Sequence, residues 1–183
     1  MADLMTDSIL IRRSLLGSPD AFVEVVQRHE VAIHAYLARR AGHQAADDLL
    51  AEVWLRAFAA RRTYDLSHDD ARPWLYGFAH NVLREHWRAT RRTGPAAVEE
   101  TLDPWDEITD RIDSTIRART LISAVRTLPS AERDVLLLVA WEQLTPTEAA
   151  TALGIPPGTA RSRLHRARAT LRLMLPETSE ARA

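Results

Sequence analysis

Residues 145–168 read TPTEAATALGIPPGTARSRLHRAR, and their punctuation decides the fold. Thr145-Pro146-Thr147-Glu148 is a capping box: the Thr145 hydroxyl can accept from the Glu148 backbone N–H, and the Glu148 carboxylate can accept from the Thr145 N–H. Pro146 falls at the first helical position, where its missing N–H costs nothing. A short helix runs through Ala149, Ala150 and Leu153, and Gly154 can take the left-handed conformation that ends it. Ile155 plugs the gap and Pro156-Pro157 forces a fresh start. A second helix then carries Ala160, Leu164, Ala167 and Leu171, spaced four, three and four, which makes one buried stripe. Two short helices joined by a tight glycine turn form a helix-turn-helix.

The opposite face of the second helix carries the chemistry. At about 100° per residue, the side away from Leu164 presents Ser162, His165 and Arg166. Thr159 lies near its start, and Arg161, Arg163 and Arg168 lie on its flanks. Arg can bridge O6 and N7 of guanine, Ser can donate or accept, and flanking Arg can hold phosphates. A solvated basic helix in a bundle has similar composition, but it needs neither the capped first helix nor the glycine turn and double proline.

Upstream, Ser130-Ala131-Glu132-Arg133 opens a helix, with Ser130 expected as its cap, and VLLLVAWE continues it as the most apolar run in the chain. Before Pro129, the spacing of Ile116, Leu121, Val125 and Leu128 predicts another helix. Residues 93–115 break the pattern with one Arg and seven acids, a net charge of −6. Residues 116–175 carry +5, residues 1–92 carry +1 and residues 176–183 carry −1, so the overall charge of −1 conceals a basic helix-turn-helix behind an acidic linker. Such an acidic stretch, with two prolines, rarely builds its own core. The acids either keep the linker solvated or compete with DNA for the basic surfaces.

Toward the N-terminus, Pro73 to about Arg91 predicts a helix with Trp74, Phe78, Val82 and Leu75 inward. It leaves Tyr76, His80, Asn81, Arg84, Arg88, Arg91 and Arg92 outside, with Trp87 near an edge. Aromatic rings beside Arg suit unpaired nucleic acid, the rings stacking on bases while Arg follows the backbone. Residues 61–71 have no stripe and read as a loop. Gln44 to Ala60 predicts a helix with Leu49, Val53 and Phe58 inward, together with Leu50 or Ala57. Asp47, Asp48 and Glu52 then share an acidic side with Arg56: a solvated face, or a docking surface for a basic partner with Trp54 as its aromatic anchor. Ser18-Pro19-Asp20 starts an earlier helix through Phe22, Val25, Val26, His29, Ile33 and Leu37 to about Arg40, and residues 1–18 read as a lead-in.

Several classes are excluded or disfavoured. Without cysteine there is no disulfide, thiol sensor or cysteine-containing zinc site. His29-Glu30 and His34 are five apart, about 140° around a helix, whereas the zinc-protease motif needs two His four apart on one face. No stretch resembles a signal peptide or a membrane span, so a soluble cytoplasmic protein without membrane insertion is expected. Neither a phosphate loop nor a nucleophile motif is present, which points away from an enzyme and from any cofactor or metal. The fold expected is all-α, with two small helical domains at residues 1–92 and 116–183 joined by the linker at 93–115.

The chain resembles a bacterial RNA polymerase sigma factor of the extracytoplasmic-function type over roughly residues 18–92 and 114–174. AADDLLAEVWLRAF, residues 45–58, resembles the helix that binds core polymerase; PWLYGFAHNVLREHWR, residues 73–88, resembles the helix that recognises and melts the minus-ten element. LTPTEAATALGIPPGTARSRLHRAR, residues 144–168, resembles the domain that reads the minus-thirty-five element. The resemblance implies that Asp47, Asp48 and Glu52, with Trp54, dock on the β′ clamp helices of the core, which also brings in the β subunit. It implies minus-ten contacts from Trp74, Tyr76, Asn81, Arg84 and Arg88, with a base pocket in the loop Arg61 to Arg72. Minus-thirty-five contacts fall to Thr159, Arg161, Ser162, Arg163, His165 and Arg166. Gly77 and His80 replace a common basic residue, Glu85 replaces Asp and Ala51 replaces Gln, departures that bear on promoter sequence. The expected partners are core polymerase and promoter DNA, and the resemblance admits an anti-sigma protein. The alternative is a stand-alone helix-turn-helix regulator that acts without polymerase.

Overall fold

Helical spacing becomes helices throughout: the structure, a computed structural model, describes residues 5–93 and 116–174, and every regular element among them is helical. They form two compact units, one within residues 1–104 and one within 105–183. The acidic linker expected at 93–115 lies outside the described residues, save that Thr93 ends a helix.

The first unit contains α1 (Asp7–Leu15), α2 (Ala21–Ala41), α3 (His43–Ala59) and α4 (Arg72–Thr93), with a short 3-10 turn at Arg61–Thr63. The sequence gives no warning of α1. It forms because Leu10 and Ile11 can bury completely against the unit and because Asp7 finds partners there. Ser18 does not cap α2: its carbonyl accepts from the Ala21 N–H at 2.9 Å, and the helix starts at Ala21, two residues later than the Ser-Pro-Asp signal suggests. Phe22, Val25, Ile33 and Leu37 are buried as spaced, and Tyr36 and Ala38 join them. Gly42 alone separates α2 from α3. Its φ of 78° turns the chain in one residue, a conformation that a side chain resists. In α3, Ala46, Leu49, Val53 and Ala57 face the core, while Phe58, expected inside, lies at the rim and packs edge-on against Phe22 at 5.4 Å.

The second unit contains α5 (Ile116–Thr127), α6 (Ser130–Ala140), α7 (Pro146–Leu153) and α8 (Pro157–Met174). Ile122 takes the core position expected of Leu121, which is exposed. Ser130 is the first helical residue of α6 rather than its cap, and Pro129 precedes it with no side-chain cap bond. The helix-turn-helix forms as read. Glu148 N–H donates to Thr145 Oγ1 at 3.2 Å, and Thr145 N–H donates to Glu148 Oε2 at 2.7 Å. Gly154 is left-handed (φ 62°, ψ 37°), its N–H reaching Thr151 and the next N–H, from Ile155, reaching Ala150 at 3.0 Å. That pair of bonds closes the helix end and seats Ile155 on the core. Ala160, Leu164 and Ala167 of α8 are buried against Val135, Leu136 and Leu137 of α6. A cap is worth about 1 kcal/mol and each fully buried aliphatic side chain about 1.5–3 kcal/mol. Burial therefore holds the unit together, and the cap sets where α7 begins.

Candidate nucleic-acid and docking surfaces

With its alanine–leucine stripe buried, α8 turns the rest of its circumference outward. Arg161, Ser162, His165, Arg166 and Arg168 are exposed, and Thr159 and Arg163 are half-buried at the margins. The structure therefore brings the seven residues singled out on this helix onto one surface. Arg166 is not loose on it. Its Nε donates to Glu132 Oε1 at 2.8 Å, and Nη1 donates to Ser162 Oγ at 3.3 Å. Nothing in the local sequence ties Glu132, in the first turn of α6, to a residue 34 positions away.

In the first unit, Asn81, Arg84 and Arg88 are exposed at spacings of three and four on α4, as one stripe. Glu85 sits among these cations but is drawn toward α3, where it accepts from Arg56 Nη2 at 2.7 Å. Arg56, and behind it Arg88, holds the Glu85 carboxyl below its ordinary range, while Glu85 and then Glu52 hold the Arg56 guanidinium protonated. Tyr76 and His80 correct the sequence expectation. Both are buried, Tyr76 with its ring 5.2 Å from that of Tyr36 and nearly perpendicular to it, so in this conformation Tyr76 presents no face for a base. Trp74 remains half-exposed in a run of edge-on rings: Tyr64 to Trp74 at 5.3 Å, then Trp74 to Phe78 at 4.9 Å.

That aromatic run borders the loop preceding α4, and the loop is fixed from a distance. Asp7, almost fully buried on α1, accepts from His29 Nε2 at 2.7 Å, Arg28 Nη1 at 3.2 Å and the Ala71 N–H at 2.9 Å. Burial opposes its charge, but the hydrogen bonds from His29, Ala71 and Arg28 outweigh burial and hold the Asp7 carboxyl below its ordinary range. One residue on, Ser8 Oγ donates to Asp69 Oδ1 at 2.9 Å, and the Asp7 N–H donates to Asp69 O at 3.1 Å. Tyr64 donates its hydroxyl proton to the His68 carbonyl. Burial, then the carboxylates of Asp7, Asp70, Asp69 and Asp65, push that phenol up, so it stays a donor. Asp7, His29 and Asp70 also converge with ligand atoms within 4.8 Å. Each is engaged by a protein partner, Asp70 by the backbone N–H and Nε of Arg72 at 2.9 and 2.7 Å. Sequence reasoning missed this cluster: Asp7 lies in the stretch read as a lead-in, and no local pattern connects it to Ala71.

On α3, Asp47 and Asp48 are exposed and Glu52 half-exposed. Two of these acids already have partners: Asp47 accepts from His34 Nε2 at 3.0 Å, and Glu52 accepts from the Arg56 guanidinium at Nε. Trp54, expected as an outward anchor, is half-buried with its ring edge-on to Phe22 at 6.5 Å. Its indole nitrogen is enclosed with no hydrogen-bond partner among the described residues. The large apolar side chains this helix does expose are Leu55, at 66%, and Phe58, whose ring is capped by the Arg61 guanidinium 3.9 Å from its centre.

Comparison with known proteins identifies the family of both units. The family model described as Sigma-70 region 2 matches residues 25–93, and that described as Sigma-70, region 4 matches residues 118–171. The RNA polymerase sigma factor CarQ of Myxococcus xanthus is 32% identical over 163 residues, which cover 88% of this chain and 92% of CarQ. The ECF RNA polymerase sigma factor BldN of Streptomyces coelicolor is 27% identical over 92% of this chain, which spans 65% of that protein's length. Among solved structures, CnrH in complex with the cytosolic domain of CnrY matches with a TM-score of 0.66 at 25% identity, over 92% of this chain and 96% of CnrH. The sigma factor RpoE of Bartonella quintana, solved with the anti-sigma factor NepR, shares the fold with a TM-score of 0.61 at 18% identity, over 85% of this chain and 96% of RpoE.

Proposed function

The chain belongs to the RNA polymerase sigma factors of the extracytoplasmic-function type, and from that membership we propose how its residues divide the work. The acidic side of α3, with Asp47, Asp48 and Glu52, docks on basic residues of the β′ clamp helices of core polymerase. Leu55 beside them serves as the apolar contact that Trp54, turned inward, does not provide. Asn81, Arg84 and Arg88 on α4 follow the displaced strand at the minus-ten element, with Trp74 and the loop before α4 receiving unstacked bases. The outward face of α8 enters the major groove at the minus-thirty-five element, Arg161, Ser162, His165 and Arg166 reading base edges while Thr159 and Arg163 contact the backbone. The protein itself catalyses nothing; it directs polymerase to a subset of promoters and helps to open them. An anti-sigma partner is part of the proposal, drawing on the likeness to CnrH and RpoE, both solved with bound partners.

The observation that carries this reading is an exposed acidic helix face in the same chain as an exposed basic reading face. A regulator acting on DNA alone has no use for the acids of α3, which would repel phosphates; a polymerase subunit needs both. The test is reconstitution. The purified chain added to core polymerase should yield promoter-specific transcripts. Reversing Asp48 and Glu52 to Arg should weaken core binding by at least about tenfold, since like-charge juxtaposition at an interface costs several kcal/mol. DNA binding by the full chain alone should not fall. Equal core affinity for the variant and the parent would remove α3 from the docking role.

A further inference from the structure

We propose that Glu132 is a positioning residue for base reading: it holds the Arg166 guanidinium by its side edge so that the terminal edge faces a purine bearing two acceptors. The inference rests on the reading of α8 as the DNA-reading helix and goes beyond it, because Glu132 lies on another helix and touches no DNA itself.

The geometry favours positioning over masking. A guanidinium has five N–H donors in a rigid plane. Glu132 takes the one on Nε at 2.8 Å, and Ser162 takes one on Nη1 at 3.3 Å. Three donors remain, one on Nη1 and two on Nη2, and donors on these two terminal nitrogens have the spacing of O6 and N7 of guanine. The exposures have the matching order: the Arg166 side chain is 58% exposed and that of Glu132 only 13%. The carboxylate thus lies beneath the cation, between it and the core. A masking carboxylate would be the outer member of the pair and would meet the DNA phosphates first. Glu132 is carried on backbone that is fixed independently of Arg166. It sits in the first turn of α6, where the helix dipole favours an anion, and its N–H donates to the Pro129 carbonyl at 2.9 Å. A flexible side chain held at two of its nitrogens loses less rotamer freedom on binding than a free one.

The experiment measures promoter discrimination by the full chain with core polymerase, on duplexes that differ at single positions of the minus-thirty-five element. Arg166→Ala identifies the base pair at which discrimination falls. If it falls nowhere, the assignment of Arg166 as a base reader fails and the role of Glu132 fails with it. At the identified pair, Glu132→Ala should lower discrimination by about fivefold, toward the lower end of what a bidentate contact supplies. Glu132→Gln, which keeps an acceptor oxygen, should retain most of it, and Glu132→Ala should add nothing in an Arg166→Ala background. Parent-like discrimination in Glu132→Ala, alongside a loss in Arg166→Ala, overturns the positioning role and leaves α8 as the reader. So does an equal loss at every position, the mark of a merely structural residue, or a gain in affinity on all sequences, the mark of a mask. Should Glu132→Ala be unfolded by circular dichroism, Glu132→Asp, with its shortened arm, takes its place under the same expectations.

Discussion

The two candidate DNA surfaces are built in opposite ways. The face of α8 comes from one helix: each exposed residue is within a few turns of the next, and the stripe that turns it outward is part of the same eighteen residues. The surface at α4 and its preceding loop is assembled from afar, its loop pinned by a carboxylate 64 residues upstream. Apart from the contact of Glu132 with Arg166, the first arrangement is set by local rules and tolerates change elsewhere in the chain. The second concentrates its shape in a few long-range bonds, so damage at one remote residue propagates into the site.

Asp7→Asn tests that contrast most severely. It leaves Arg28 and His29 without their buried partner anion, which should cost the first unit on the order of 3 kcal/mol and disturb promoter opening, while minus-thirty-five discrimination by α8 stays at the parent's value. Thermal melting and transcription from a premelted template measure the two parts; unchanged melting would remove Asp7 from its structural role. The pH dependence has a definite sign. The folded-state value of Asp7 lies below the ordinary 3.8, so its contribution is full above 3.8 and is lost as pH falls through the lower value. Below about pH 4 the parent should therefore lose stability more steeply than Asp7→Asn, and parallel melting curves for the two would argue against the linkage.

On the local side, Thr145→Ala removes one half of the capping box and should cost about 1 kcal/mol, confined to the second unit. Amide exchange would register faster opening at the start of α7 with α1–α4 unaffected, and protection lost in the first unit would contradict the local picture. The smallest effect expected is that of Arg163→Ala, a marginal, half-buried residue of α8. It should weaken binding about equally on all sequences and reduce the salt slope by roughly one phosphate contact. A change in base preference would move Arg163 from backbone contact to base reading.

The same contrast governs what could be read from sequence. The cap, the left-handed glycine and the stripe of α8 are local rules that agree with one another, and all of them appear in the structure. In α4, aromatic and apolar residues occur on nearly every side, so the stripe through Trp74, Phe78 and Val82 competes with one through Leu75, Ala79 and Leu83. The contest is settled by Tyr36, on a different helix, stacking edge-on against Tyr76. Trp54 turned inward for a similar reason: Phe22 offered it a partner that its own helix could not reveal. The acids of α3 were legible as a face with Arg56 beside them, but the contact of Asp47 with His34 was not, since His34 lies on another helix.

The bond between Asp7 and Ala71 also sets an order of events. During synthesis the carboxylate emerges first and waits for 64 further residues before the N–H it needs exists. The nine residues of α1 are too few to hold a helix alone in water. We therefore expect α1 to be among the last parts of its unit to settle, and the loop before α4 to take its shape only when α1 has come back to meet it.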